Sequence, residues 1–220
     1  MPGEAMTPGQ IVSSNSLALA AYVRAFGGVP VSLGIARDNE DSLKRMLAGA
    51  RGNDLLITIG GASVGDHDLV RQVLGQEGFD LGFYKVAMRP GKPLIFGRLD
   101  DVPVLGLPGN PVSAGVTSFL FVRPAMRVML GLDADDGPPQ TARLGRDLPA
   151  NDQRQDYLRS RLTVDGEGRR IATPFDLQDS GLMARFADAD CLIIRPPHAP
   201  AAKAGETVTI LPLHAASVSL

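Results

Sequence analysis

Apolar positions fall into two regimes along the chain: helical spacing interleaved with short apolar runs as far as residue 131, and short alternating runs beyond it. Residues 13–28 open with cap-type side chains, carry Leu17, Ala21, Val23 and Phe26, and stop at Gly27-Gly28, which predicts an amphipathic helix. VPVSLGIA (29–36) predicts a strand, and DNEDSLKRMLAGA (38–50) a helix with an acidic first turn. DLLITIG (54–60) predicts a second strand that runs through GASVGDHD into a short helix at LVRQVLG. Strand and helix alternating at this spacing imply right-handed crossovers and a mostly parallel sheet. Two apolar runs around LDD predict a hairpin of 94–98 with 102–106, followed by a long helical pattern over 111–131 that Pro124 must kink or break.

LDADDGPPQ (132–140) has the composition of a linker. Beyond it, TARLGRDL, DYLRSRLTV, RIATPF, CLIIRP and TVTILPL are separated by turn residues, with DGEG (165–168) a hairpin signal and 179–189 a short helix. The expected architecture is therefore α/β, a three-layer mostly parallel sheet domain over 1–131, followed by a small all-β barrel-like domain over 141–220.

The 220 residues are 44% hydrophobic and 21% charged, enough apolar material for a large core, and aromatics at 5% make that core aliphatic. A net charge of −2 gives no basic field for bulk nucleic-acid binding, though a local anion site is compatible with it. One cysteine, Cys191, excludes an internal disulfide, and its apolar surroundings predict a buried, inert thiol. Neither a signal peptide nor a stretch of membrane-spanning length is found, so a cytoplasmic protein is expected by default.

Ligands of open α/β sheets bind beyond the carboxyl ends of the strands, and four loops there carry chemistry. After the first predicted strand, Asp38 is a candidate helix cap or a magnesium ligand. After the second, Gly60, Gly61 and Gly65 permit close backbone approach to an anion, Ser63 offers a hydroxyl, and Asp66 and Asp68 open a helix. Walker and GxGxxG spacings are absent, which disfavours an ordinary nucleotide site, and His67 has no second histidine or cysteine nearby for zinc. YKVAMRPGKP (84–93) groups Lys85, Arg89 and Lys92, either a solvated face or an oxyanion clamp. GLPGNPVS supplies Pro108, Gly109, Asn110, Pro111 and Ser113 at the start of the long helix, with Asn110 the expected N-cap and Pro111 the first helical residue. Helix ends, a glycine loop, carboxylates and cations together suit a substrate bearing several negative groups with a divalent metal between them.

The ordered set GGASVGDHD, KVAMRPGKP and GLPGNPVS, with QDSGLMARFADADCLIIRP and AGETVTILPL in the tail, resembles the molybdopterin molybdenumtransferase family of the MoeA and gephyrin E-domain type. The resemblance covers Gly9 to the C-terminus. It implies insertion of molybdenum from molybdate into adenylylated molybdopterin with release of AMP, supported by Mg2+. By motif, it assigns Asp38 and Asp68 to metal and nucleotide; Gly60, Gly61, Ser63 and Gly65 to the phosphate region; and Lys85, Arg89 and Lys92 to molybdate and pterin phosphate. Pro108, Gly109, Asn110, Pro111 and Ser113 are assigned to shaping and lining the site. The family often has lysine where Arg89 stands. It also implies a homodimer in the full-length protein and contacts with other cofactor-biosynthesis proteins, but no nucleic acid and no membrane. Family members are longer and carry a TGDEL-like strand ahead of the matching part. The expectation is a chain that lacks the first strand of the sheet, binds ligand weakly and turns over poorly alone. Three alternatives compete with this reading: a molybdopterin adenylyltransferase, which typically carries a GGTG-type loop where this chain has GGASVG; a non-catalytic scaffolding module; and a competence-related protein with the same core, against which the β-rich tail and PGKP speak.

Overall fold

A computed structural model describes residues 14–37, 39–60, 73, 75–76, 78–135, 137–179, 181 and 183–213. The chain divides into two compact units, residues 1–86 with 93–134 and residues 87–92 with 135–220.

The first unit is a sheet between two helical layers. Helix α1 (Asn15–Ala25) and helix α2 (Glu40–Ala48) precede strand β1 (Leu56–Ile59), which pairs in parallel with β5 (Val102–Leu107). β5 continues antiparallel to β4 (Ile95–Leu99), and β4 antiparallel to β2 (Phe79–Tyr84), giving the order β1-β5-β4-β2. Alternation along β1 and β5 separates the two faces. Leu56 and Val104 pack with Leu43 and Leu47 of α2, while Ile57, Leu105 and Leu107 pack with Leu19, Val23 and Phe26 of α1 and with Val122 and Met126. Three layers thus form, as the pattern predicts, but the described sheet is mixed. One of its three pairings is parallel, because the 94–107 hairpin contributes two neighbouring strands.

Four local expectations change. Residues 29–36 are not a strand: no described strand ladders with them, Val29, Val31 and Ile35 are exposed, and only Leu33 joins the core. FDLGFY, which the pattern left unassigned, is strand β2. Leu17 is 59% exposed, so α1 meets the core through half-buried Leu19 and Val23, with Phe26 at its C-cap. The cap of α2 is Asn39, whose Oδ1 accepts from the Ser42 N–H at 2.9 Å. The alternative candidate for that cap, Asp38, lies outside the described residues.

The long helical pattern is one run of three parts: α3 (Pro111–Thr117), a π turn (Ser118–Val122) and α4 (Arg123–Met129). Pro124 has no N–H to donate one turn back, and the wider π turn absorbs that loss without breaking the helix.

The second unit is a closed five-stranded barrel of β6 (Gln140–Leu144), β7 (Gln155–Val164), β8 (Arg170–Pro174), β9 (Cys191–Arg195) and β10 (Thr207–Pro212). The order β7-β8-β6-β10-β9 closes through β7–β9 pairing, so these strands leave no open edge. Inward-facing Ala142, Leu144, Ala172, Cys191, Ile193, Val208 and Ile210 fill it at a spacing of two, and a short helix α5 (Met183–Ala187) lies between β8 and β9. The β7–β8 turn falls on DGEG, with Gly168 at φ 78° as that turn demands. β3 (Met88–Arg89) adds to β7 in parallel, with Arg89 opposite Asp156.

Candidate functional site

Two of the four loops meet in the first unit. β1 and β5 are parallel neighbours, so the segments leaving their carboxyl ends emerge at the same rim. Gly60, at φ 81°, donates its N–H to the Leu107 carbonyl at 3.0 Å, and a Cβ on Gly109 would sit 3.3 Å from the Gly60 Cα. The two glycines serve different ends: the left-handed backbone at Gly60 strains an L side chain, whereas a Cβ on Gly109 would press on the Gly60 backbone.

Helix α3 starts at this corner. Asn110 is its N-cap residue and Pro111 follows in the first turn, as expected, yet the Asn110 side chain makes no capping bond. Its Oδ1 is buried with no partner among the described residues. Ser113 is 6% exposed, enclosed in the first turn, and its carbonyl accepts from the Thr117 hydroxyl at 2.7 Å. Pro108 lies between the end of β5 and Gly109. The sequence did not single out Asn15, whose Nδ2 donates to the Gly109 carbonyl at 2.7 Å and brings the start of α1 to the same corner. Its cap-type neighbours Ser14 and Ser16 are the only signal that could have found it.

In the glycine loop beyond Gly60, the candidates Gly61, Ser63, Gly65, Asp66, His67 and Asp68 lie outside the described residues, as does Asp38. Among the described residues, no group of three or more His, Cys, Asp or Glu side chains could hold a metal ion. The Mg2+ expectation therefore rests on Asp38 and Asp68 by sequence alone.

The three cations divide. Lys85 belongs to the first unit and Arg89 and Lys92 to the second. Lys85 takes a left-handed backbone, φ 74°, donates its N–H to the Leu94 carbonyl at 2.9 Å, and places Nζ 4.6 Å from the centre of the Tyr84 ring. A lysine in that conformation is strained, a cost that the surrounding β2–β4 pairing sustains. Lys92 is exposed and no described residue pairs with it, while Pro90 and Gly91 before it are buried.

Arg89 is instead engaged on both sides. Its Nε donates to Asp156 Oδ1 at 2.8 Å, its Nη2 to Asp156 Oδ2, and its Nη1 to Asp152 Oδ2 at 3.3 Å. The hydrogen bond to Asp156 raises the Arg89 pKa further, so this guanidinium is permanently charged. Asp152 is held in turn by Arg154 and its carboxyl lies below the ordinary aspartate range. These two aspartates went unnoticed in the sequence, because an Asp 67 residues away cannot be paired with an Arg without the fold. Arg159, also unnoticed, is 2% exposed. It donates to the Asp179 carbonyl at 3.3 Å, and its Nε has no partner among the described residues.

Residues 2–128 match the family described as "Probable molybdopterin binding domain", and residues 141–213 match "MoeA C-terminal region (domain IV)". A molybdopterin molybdenumtransferase of Haemophilus influenzae is 32% identical over 214 residues, 96% of this chain and 53% of that protein. One from Nostoc sp. is 34% identical over 213 residues, 94% of this chain and 49% of that protein. The crystal structure of a molybdopterin biosynthesis MoeA protein from Pyrococcus horikosii superposes with a TM-score of 0.81 at 30% identity, covering 98% of this chain and 51% of that one. The chain thus spans about half the length of the curated relatives it matches. No helix among the described residues is long and apolar enough to cross a membrane. With the mixed-sheet unit matching one family domain and the barrel matching the other, the chain belongs to the molybdopterin-binding, MoeA-type family of molybdenum cofactor biosynthesis, and corresponds to the C-terminal portion of its longer members.

Proposed function

We propose that this chain is the part of a molybdopterin molybdenumtransferase that holds adenylylated molybdopterin and molybdate while molybdenum is inserted and AMP released. The observation that carries the proposal is the corner where Gly60 and Gly109 approach each other beside the start of the 111–129 helix. Backbone at that corner is bare enough for oxygen-rich groups to reach main-chain N–H groups, and a helix N-terminus favours negative charge there. Pro108 and Pro111 keep the corner in one shape, so those donors need no reordering when an anion arrives. Lys85, exposed in the same unit, supplies a point charge suited to a phosphate or molybdate oxygen, and Lys92, exposed in the second unit, offers a charge of the same kind there. Ser113 and Asn110 line the same corner, and Gly61, Ser63 and Gly65 would extend it through the glycine loop.

When bound by Asp38 and Asp68, magnesium would neutralise charge on the diphosphate. No protein nucleophile is required, since water or a molybdate oxygen can attack the phosphoryl group. The protein would act as a homodimer in the cytoplasm.

Calorimetric titration of the 220-residue chain with sodium molybdate tests the proposal. Saturable binding that Lys92→Ala weakens about tenfold, worth ~1.4 kcal/mol, is the expected result. Absence of saturable binding, or binding indifferent to Lys92, would refute it. Mixing the chain with ATP and molybdopterin should give no adenylylated product; formation of that product would favour the adenylyltransferase.

A further inference from the structure

Resting on the anion-binding role proposed for Lys92, we infer that Arg89 is a strut rather than an anion ligand, and that Asp156 is the positioning residue that fixes it so that the 87–92 loop presents Lys92. Three observations in the second unit carry this. First, Arg89 and Asp156 stand opposite each other in the β3–β7 pairing and meet through both carboxylate oxygens, a fork that fixes orientation as well as distance. Second, the Asp156 side chain is 8% exposed, so its charge has little water to fall back on and depends on the guanidinium. Third, Asp152 closes the other side of Arg89 and is prebuilt. Its Oδ1 accepts from the Arg154 N–H at 2.8 Å, its Oδ2 from Arg154 Nη2 at 3.0 Å, and its own N–H donates to Asn151 Oδ1 at 2.9 Å.

Two carboxylates on one guanidinium compensate its charge. An oxyanion approaching Arg89 would meet Asp156 and Asp152 as well, with the repulsion between like charges opposing it. Lys92, three residues on, carries no such compensation among the described residues. Between them, Pro90 and Gly91 are buried, and the Gln155 N–H donates to the Ala87 carbonyl at 2.9 Å, so the loop is tied to β7 at its entry as well as through Arg89. Cutting the fork therefore releases the loop at Arg89, the tie to β7 that lies nearer Lys92 of the two.

The test compares Asp156→Asn, Arg89→Gln and the double variant in the full chain, at a temperature where each is folded. Molybdate affinity is read by calorimetry, and loop anchoring by hydrogen exchange at the Gln155 amide. A strut predicts that each single variant raises the Kd at least tenfold, that the double variant is no worse than the poorer single, and that Gln155 exchange quickens at least tenfold in all three. Arg89→Gln abolishing binding while Asp156→Asn leaves it unchanged or tighter would overturn the inference in favour of a ligand role. A fall in Tm with unchanged Kd would overturn it too, leaving a stability element only. If the wild-type chain binds no molybdate, the proposed function fails, and the strut is judged on Gln155 exchange alone; unchanged exchange rejects it. Asp152→Asn, on the exposed side of the strut, supplies a milder variant should Asp156→Asn not fold.

Discussion

Gly60→Ala and Gly109→Ala separate two reasons for glycine at one corner. Gly60 sits at φ 81°, where an L side chain is strained, although a Cβ there would find its nearest neighbour, the Gly109 Cα, at an ordinary 3.8 Å. Its penalty is therefore one of backbone conformation, about 1–2 kcal/mol, slightly offset by the lower entropy of an unfolded chain with alanine. Gly109 is not at positive φ, but its Cβ would press on the Gly60 Cα at 3.3 Å, and that neighbour is backbone with little room to yield. There the steric cost and the entropic gain of about 0.4–1 kcal/mol are of similar size, so the net change is close to zero. For a unit of this size, 1 kcal/mol moves Tm by roughly 3–5 °C. Differential scanning calorimetry should show the first unit's transition falling by about 3–10 °C in Gly60→Ala and by no more than ~2 °C in Gly109→Ala. Equal shifts in the two variants, or none for Gly60→Ala, would refute the left-handed assignment at Gly60 and the close approach built on it.

Further outcomes are expected in the second unit. Burial pushes the Cys191 thiol from 9.0 up to about 12, so the fold holds it neutral. The stability this supplies is complete below pH 9.0 and declines as pH rises, by about 1.4 kcal/mol per unit between the two values. Cys191→Ala should flatten that alkaline decline, and a thiol reagent should label the wild type only at the rate of barrel opening; immediate labelling would contradict the burial. Asp147, Asp152 and Asp165 are held below the ordinary carboxylate range by Lys203, Arg154 and Arg169 respectively. Their contribution is present above the unfolded aspartate value of 3.8 and is lost as pH falls through the folded values, so Tm should be insensitive to these groups near pH 7 and drop below about pH 4. Carboxyl NMR titration of Lys203→Met should return Asp147 toward 3.8, and an unmoved Asp147 would contradict the pairing.

The sequence by itself determined what depends on neighbours along the chain. Periodicity placed α1, the 95–107 hairpin, the long helix and the barrel strands, because burying one face needs only spacings of 3.6 or 2. Turn chemistry placed the DGEG hairpin and the Pro-Gly corner, since φ limits are local. It could not decide that 29–36 would lack a ladder, because a strand exists only where another chain segment offers matching N–H and C=O groups. Nor could it separate Lys85 and Lys92 from Arg89. In sequence the three are equivalent cations on one loop, and only the tertiary pairing of β3 with β7 sets Asp156 and Asp152 against Arg89. Charge is a property of the residue, whereas whether that charge remains available to a ligand is a property of what the fold packs beside it.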